Sequence, residues 1–462
     1  MSNKLEADYL VVGSGGMGMA FTDTLMTESE ATVVMVDRHD RPGGHWNDAY
    51  PFVRLHQPSS FYGVNSKKLG NDTIDKTGWN EGLYELASAS EVVTYFDQVM
   101  QQQFLPSGRV SYFPMCEYHG DGRFSSIVSN TSYEVVAKKV VDSTYMDVQV
   151  PSVRGPQYEV AEGVQCIAPN DLPKQKSPAT GYVLVGGGKT AMDACLWLLK
   201  NEVDPNLITW IVPRDSWMFD RANIQPAGLP LDTINTTRAE LPSPPKDPKS
   251  LDELLEGVHR AGALLRLDDN VKPTMWRCAT VMKLELAQLK RVKNIIRQGR
   301  VTSIGADVVE LEQGSIPTSP GHIHIDCTAD GLANRPAVPV FDGTKITLQS
   351  VKTCQQVFSA AFIGHIETAY TDDTEKNQLC NPVPHPDTIL DFLRTNIDAT
   401  RNHLLWIQQP ELVDWLQEAR LSGPPQLHYK TPSDVELDQI LTEQNKILAG
   451  QERLLEMAVS GS

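Results

Sequence analysis

Two glycine-rich loops are the most chemically suggestive features of this sequence. The first, Gly13-Ser14-Gly15-Gly16-Met17-Gly18, follows the apolar run Tyr9–Val12 and opens an apolar stretch, Met19–Met26. The second, Gly186-Gly187-Gly188-Lys189-Thr190-Ala191, follows Tyr182–Val185 and runs on to about Lys200. A strand that turns through such a loop into a helix offers unpaired amides and the positive end of a helix dipole to a pyrophosphate. In the first loop Gly13 permits the turn, Gly15 lets the phosphates approach the backbone, and Gly18 lets helix and strand pack closely. Ser14 and Gly16 belong to the same cradle, and Asp37 closes the next strand where it can accept from ribose hydroxyls. This site alone suits either NAD or FAD. In the second loop Gly186, Gly188 and Ala191 hold the three fingerprint positions. The following strand ends in Arg214 instead of an acid, which suits the 2′-phosphate of NADPH over NADH. Lys189, Thr190 and Arg221 are further candidate phosphate contacts. Gly188-Lys189-Thr190 is no nucleoside-triphosphate loop, since Val183 stands where that motif needs glycine. Two dinucleotide sites in one chain imply hydride transfer from one carrier to the other.

The run Asp37-Arg38-His39-Asp40-Arg41-Pro42-Gly43-Gly44-His45-Trp46, with Tyr50-Pro51 just after it, resembles the class B-like flavin-dependent monooxygenases with two dinucleotide-binding domains. That resemblance implies FAD in the first site, with Arg38, Gly44, His45 and Trp46 beside it, and NADPH in the second. It further implies that the reduced flavin takes up O₂ as a C4a-hydroperoxide, which passes one oxygen to a small organic substrate at nitrogen, sulfur or a carbonyl carbon. Arg54, His56, Gln57 and Tyr62 follow the Tyr-Pro and are the candidates for donors lining a dry pocket. The segment Gln356–Glu367 would meet the flavin ring at a strand-to-helix turn, which brings in His365. Between the fingerprints this family carries a glycine–histidine segment. Here Val160–Cys166 keeps Gly163 but ends in a cysteine. Two other readings stay open: a flavin oxidoreductase or oxidase that does not oxygenate, and a non-catalytic FAD-binding protein.

These residues need an α/β fold with two Rossmann-like dinucleotide-binding domains, the second inserted in the first, and a C-terminal helical tail. The expected divisions are 1–176 (FAD domain, first part), 177–320 (NAD(P) domain with a Pro-rich elaboration at about 218–273), 321–430 (FAD domain, second part) and 431–462 (tail). Between the loops the pattern predicts a helix over 90–103, short strands at 111–116, 125–129 and 132–136, and a buried strand at 139–145. Later it predicts helices over 250–264, capped by Ser250, and over 279–296, then strands at 301–304 and 308–311. His322–Asp326 is expected to lead back into the FAD domain. In the tail Ser433 and Glu436 form a capping box, and apolar pairs recur at Ile440/Leu441, Ile447/Leu448 and Leu454/Leu455. That spacing suits docking on the body or a homodimer contact.

The totals fit this organisation. With 462 residues, 40% hydrophobic and 21% charged, the chain has material for two or three folded domains. A net charge of −17 disfavours nucleic acid as a partner and leaves small-molecule substrate and O₂. Seven scattered cysteines with no CxxC pair predict reduced thiols in a cytoplasmic protein, without a metal site or a redox dithiol. The apolar runs are of strand length, so no membrane span is expected.

Overall fold

The computed structural model describes residues 3–226, 248–423 apart from 330 and 334, and 434–460. The first glycine loop joins β1 (Asn3–Val12) to α1 (Gly16–Glu28), which leads to β2 (Val33–Val36). All four residues of β2 are buried, as expected for a parallel strand covered on both faces. A helix α2 (Ala89–Val99), β3 (Val110–Phe113), the hairpin β4 (Cys116–Gly120) and β5 (Arg123–Ser126), and β6 (Ser132–Asp142) complete this part. β1 runs parallel to both β2 and β6, with Val12 opposite Val36 on one side and Asp142 on the other. The strands expected separately at 132–136 and 139–145 are thus one: β6 pairs along almost the whole of β1.

The chain then leaves this sheet. After a short turn of helix α3 (Pro151–Arg154) come β7 (Glu159–Val160), β8 (Cys166–Ile167), β9 (Gly181–Val185), the second glycine loop, α4 (Lys189–Lys200) and β10 (Ile208–Ile211). β11 (Ser216–Asp220), α5 (Leu251–Arg260), β12 (Leu264–Leu265) and β13 (Met275–Val281) form an elaboration with a three-stranded sheet, β12-β11-β13. Ser250 caps α5 by accepting from the Glu253 amide at 3.2 Å. Residues 227–247 of the expected Pro-rich stretch, with Pro230, Pro242, Pro244 and Pro245, lie outside the described residues, as does Ser433.

The long helix expected over 279–296 is instead the end of β13, a seven-residue helix α6 (Lys283–Leu289) and β14 (Asn294–Ile296). β13 is almost wholly buried between its neighbours, and a new helix starts only where Glu285 reaches back to the Met282 amide at 2.8 Å. β15 (Val301–Ile304), β16 (Val308–Leu311) and β17 (Gly314–Pro317) form a small sheet with β7. β18 (His322–Asp326) does not lead back to the first sheet as expected. It pairs with β9 over five positions, inside the parallel order β14-β10-β9-β18-β8, where Ile323 and Ile325 fill the second core. The return comes later, at β19 (Phe341–Asp342) and β20 (Lys345–Thr347), the latter parallel to β6.

Helices α7 (Gln356–Ala369), α8 (Asp373–Leu379), α9 (Ile389–Trp406) and α10 (Pro410–Glu418) close the first domain. α7 lies against α1, and Gly364 allows it: a methyl group there would come within 3.1 Å of the Phe21 carbonyl oxygen. Phe21, Phe358 and Phe362 are fully buried at this crossing, and burying each contributes about 2–3 kcal/mol. The 27-residue helix α11 (Asp434–Ser460) docks on the body. Leu437, Leu441 and Leu448 pack on the first core, Leu454 is buried, and Arg401 bonds Glu452 at 2.7 Å. Ile440 and Ile447 face outward. Among the described residues no helix is long and apolar enough to cross a membrane.

Candidate functional site: two glycine loops

At the first loop the backbone explains each glycine. Gly13 has φ +97°, and a methyl group on it would meet Ser143 Oγ at 2.6 Å. A methyl group on Gly18 would overlap the Gly13 carbonyl oxygen, so helix and strand are in direct backbone contact. Gly44 comes down on Gly15: a methyl group on Gly44 would stand 2.9 Å from the Gly15 Cα, and the Gly43 amide donates to the Ser14 carbonyl at 2.9 Å. No side chain caps α1 at Gly15, which leaves its first amides to an anion. Asp37 accepts from the amide and hydroxyl of Ser14 and from the amide of His39. Burial pushes its carboxyl up, but hydrogen bonds from His39 and Ser14 outweigh that and hold it below the ordinary range. His39 bridges Asp37 and Asp48, at 3.0 and 2.8 Å. The Asp37 bond, against burial and with help from Asp48, raises the imidazole to about 9. Arg38 is exposed, with Glu117 3.7 Å away.

The wall beyond this loop is aromatic and amide-rich. Trp46 Nε1 donates to the Tyr62 hydroxyl at 2.7 Å. A methyl group on Gly16 would lie 2.7 Å from that hydroxyl and 3.2 Å from Val357 Cγ1, so Tyr62 and the start of α7 converge on the start of α1. Gln355 Nε2 donates to Gln57 Oε1 at 3.3 Å. Arg420 ties this wall down from the far end of the chain, donating to the carbonyls of Ser60, Tyr62 and Val64. Burial pushes Tyr62 up to about 12, so its hydroxyl stays protonated. Burial takes His45 down to about 4, and burial with the nearby Lys189 and Arg221 cations takes His56 to about 3. His56 Nδ1, Ser60 Oγ and Gln356 Oε1 are buried and make no hydrogen bond. Buried unpaired atoms of this kind are ones that a bound polar ligand or water would satisfy.

At the second loop Gly186 has φ +124°, and a methyl group on it would stand 2.9 Å from the Cys327 carbonyl oxygen. A methyl group on Gly188 would meet nothing within 4 Å, and no side chain caps α4 there. The loop is open where a pyrophosphate would approach. Lys189 is paired with Asp193, whose other oxygen accepts from Tyr50 at 2.8 Å, with Thr190 beside the tyrosine. Arg214 forms a two-pronged bond with Asp387, at 3.0 and 3.2 Å, and Asp387 also pairs with Arg277 Nε at 2.9 Å.

Three expected site residues stand elsewhere. Arg221 is fully buried, and its guanidinium is taken up by the His56 carbonyl, Asn80 and Glu285. Arg54 is exposed and bonds the Leu86 carbonyl at 2.7 Å, apart from the His56–Tyr62 wall. His365 lies nine residues into α7, about 13 Å from its start. There it stacks on Trp415 and bonds Glu28 at the opposite end of α1 from the glycine loop. The turn into that segment's helix is at its beginning, Gln355–Val357. The cysteines also need correction. Cys278 and Cys354, 76 positions apart, form a disulfide with Cα atoms 6.6 Å apart, whereas Cys116, Cys166, Cys195, Cys327 and Cys380 are free. Spacing along the chain carries no sign of that pair, because β13 and the β20–α7 loop meet only in the fold.

No family model matches the chain. It is 54% identical over 418 residues to uncharacterized proteins of Mycobacterium tuberculosis and Mycobacterium bovis, an alignment covering 90% of this chain and 78% of theirs. Among solved structures it resembles a doubly substituted flavin monooxygenase from Stenotrophomonas maltophilia, at 14% identity and TM-score 0.46, covering 80% of this chain and 100% of that one. It also resembles cyclohexanone monooxygenase from Rhodococcus sp. Phi1 bound to NADP⁺, at 14% identity and TM-score 0.44, covering 79% and 85%. A bacillithiol disulfide reductase from Bacillus cereus overlaps 70% of this chain and 78% of its own, at 12% identity and TM-score 0.37. At such scores these likenesses decide neither reaction nor substrate.

Proposed function

This chain belongs to the same family as the uncharacterized mycobacterial proteins, and from that premise we propose that it is an FAD- and NADPH-dependent oxidoreductase, a monooxygenase of a small organic substrate. The observation that carries the reading is two uncapped glycine-loop helices, one from each parallel sheet, linked by the Tyr50–Asp193 bond.

FAD would be held by Gly13–Gly18, Asp37, Gly44, His45 and Trp46, with Tyr62 and the start of α7 at its far end. NADPH would be held by Gly186–Thr190 and Arg214. Bound together, the two groups supply a hydride donor and an acceptor that can also activate O₂. The protein's own contribution is positional and electrostatic. Tyr62 stays protonated and can donate a hydrogen bond, and His56 stays neutral with Nδ1 free. His56 stands near enough to Lys189 and Arg221 for both cations to oppose its protonation. Trp46, His56, Gln57 and Tyr62 are half-buried, and the lowered dielectric around them strengthens their hydrogen bonds.

The test is anaerobic reduction of the purified protein with NADPH, followed by ¹⁸O₂ in the presence of candidate amines, sulfides and ketones. Labelled oxygen in an organic product supports oxygenation. Return of every electron as hydrogen peroxide across all three substrate classes would replace it with an oxidase. No reduction of bound flavin by NADPH would remove the dinucleotide reading.

A further inference from the structure

The disulfide between Cys278 and Cys354 has surroundings that a purely structural staple does not need. It joins β13, in the elaboration of the second domain, to the loop that enters α7 in the first. Cys278 is buried and Cys354 half-buried, which makes Cys354 the more accessible end of the pair. Both ends sit on unfavourable backbone: Cys278 has φ +56°, and Thr353, a β-branched residue next to Cys354, has φ +42°. Such residues persist only where their surroundings enforce them, and they gather at functional sites. His385 Nδ1 lies 3.9 Å from Cys354 Sγ. Burial, aided by Arg277, takes that imidazole down to about 4, leaving a neutral proton acceptor beside the sulfur.

The pair also grips the residue that holds Arg214. Arg277, next to Cys278, pairs with Asp387 at 2.9 Å, and the Trp276 amide donates to the Asp387 carbonyl at 3.1 Å. On the other side Cys354 touches His385, two residues before Asp387. The strap 385–387 is thus held from both cysteines, and its carboxylate occupies the Arg214 guanidinium.

We propose that Cys278–Cys354 is a thiol-exchange site for low-molecular-weight thiols, whose opening slackens the Asp387 strap and frees Arg214 for a dinucleotide 2′-phosphate. A thiolate attacks Cys354 Sγ, forming a mixed disulfide, while the Cys278–Cys354 bond breaks and Cys278 leaves as a thiolate that takes up a proton. A second thiol resolves the mixed disulfide, so two small thiols become one small disulfide and the protein gains two thiols. In the reverse direction the Cys354 thiol loses its proton to solvent and attacks the small disulfide, whose leaving thiolate takes up a proton. The exchange chemistry stands on the cysteines alone, whereas the effect on Arg214 rests on the NADPH reading above.

The experiment uses the full-length folded protein, purified without reductant and titrated with glutathione redox buffers. Newly exposed thiols are trapped with N-ethylmaleimide and mapped by peptide mass. Cys278 and Cys354 are expected as a linked peptide at the oxidising end and to become labelled together at one midpoint. In Cys354→Ser, or in Cys278→Ser should the first fold poorly, the remaining partner is expected to label throughout the series. Two free thiols in the oxidised protein, or a link that dithiothreitol opens only on unfolding, would overturn the site. Dissociation constants of NADP⁺ and NAD⁺ are measured on the same samples, where reduction is expected to tighten NADP⁺ about five-fold and leave NAD⁺ unchanged. Equal NADP⁺ affinity in both forms overturns the coupling. Failure of NADP⁺ to bind either form discards the dinucleotide reading, while the labelling still decides the thiol site.

Discussion

The hydroxyl of Tyr50 donates to the carboxylate of Asp193 across 2.8 Å, linking the segment after the first glycine loop to the helix after the second. Asp193 also holds Lys189, so one carboxylate fixes the loop-to-loop distance and masks a cation at the second loop. Tyr50→Phe is expected to keep the flavin and the fold while raising the KM for the nicotinamide dinucleotide several-fold. Asp193→Asn is expected to unmask Lys189 and lower it. Measured KM values moving the same way in both variants would show that the bond does not organise the second loop.

Arg214 and Asp387 make a matched pair of opposite sign. Arg214→Ala removes the guanidinium read as the 2′-phosphate contact and should raise KM for NADPH roughly 10–100-fold, with little change for NADH. Asp387→Asn removes the competitor and should lower KM for NADPH alone. Steady-state kinetics with the two coenzymes decides, and equal effects on both would end the assignment.

The glycines separate folding from binding. Gly18→Ala forces a methyl group onto the Gly13 carbonyl oxygen and should cost several kcal/mol or prevent folding. Gly188→Ala meets nothing within 4 Å in the ligand-free protein. Thermal unfolding without ligand should stay within about 2 °C of the parent, while the stabilisation conferred by NADP⁺ disappears.

His39 sets a pH dependence. Its folded value of about 9 lies above the ordinary 6.5, so its stabilisation is complete below pH 6.5 and is lost as pH rises through 9. His39→Gln should therefore narrow the gap in melting temperature between pH 6 and pH 9.5, by about 2–4 °C. An unchanged gap would place the alkaline loss elsewhere.

Both strand–glycine–helix units could be read from the sequence because each is local: the turn, the dipole and the close packing are all set within a few residues. Arg214 stood out for the same reason, at the end of the strand after its loop. The partners that engage these residues come from afar and carry no local sign. Asp387 reaches Arg214 from 173 positions away, and Gln355 reaches Gln57 from 298. Arg221 and His365 misled because their types suit phosphate and flavin, while burial against Glu285 and stacking on Trp415 depend on tertiary packing. The expected helix over 279–296 failed for a related reason. Its first residues satisfy a helical pattern but are claimed by a neighbouring strand, β11, which runs parallel to β13.

The bonds from Arg420 to the carbonyls of Ser60, Tyr62 and Val64 span as many as 360 positions. The same wall is also held locally, by Trp46 on the Tyr62 hydroxyl, by the Ser59 amide on the Glu85 carbonyl and by the Val64 amide on the Tyr95 hydroxyl. β20, late in the chain, extends the first sheet beside β6. The first site is therefore assembled from segments hundreds of positions apart, so loosening the later segment at Arg420 should disturb the wall beside the first glycine loop.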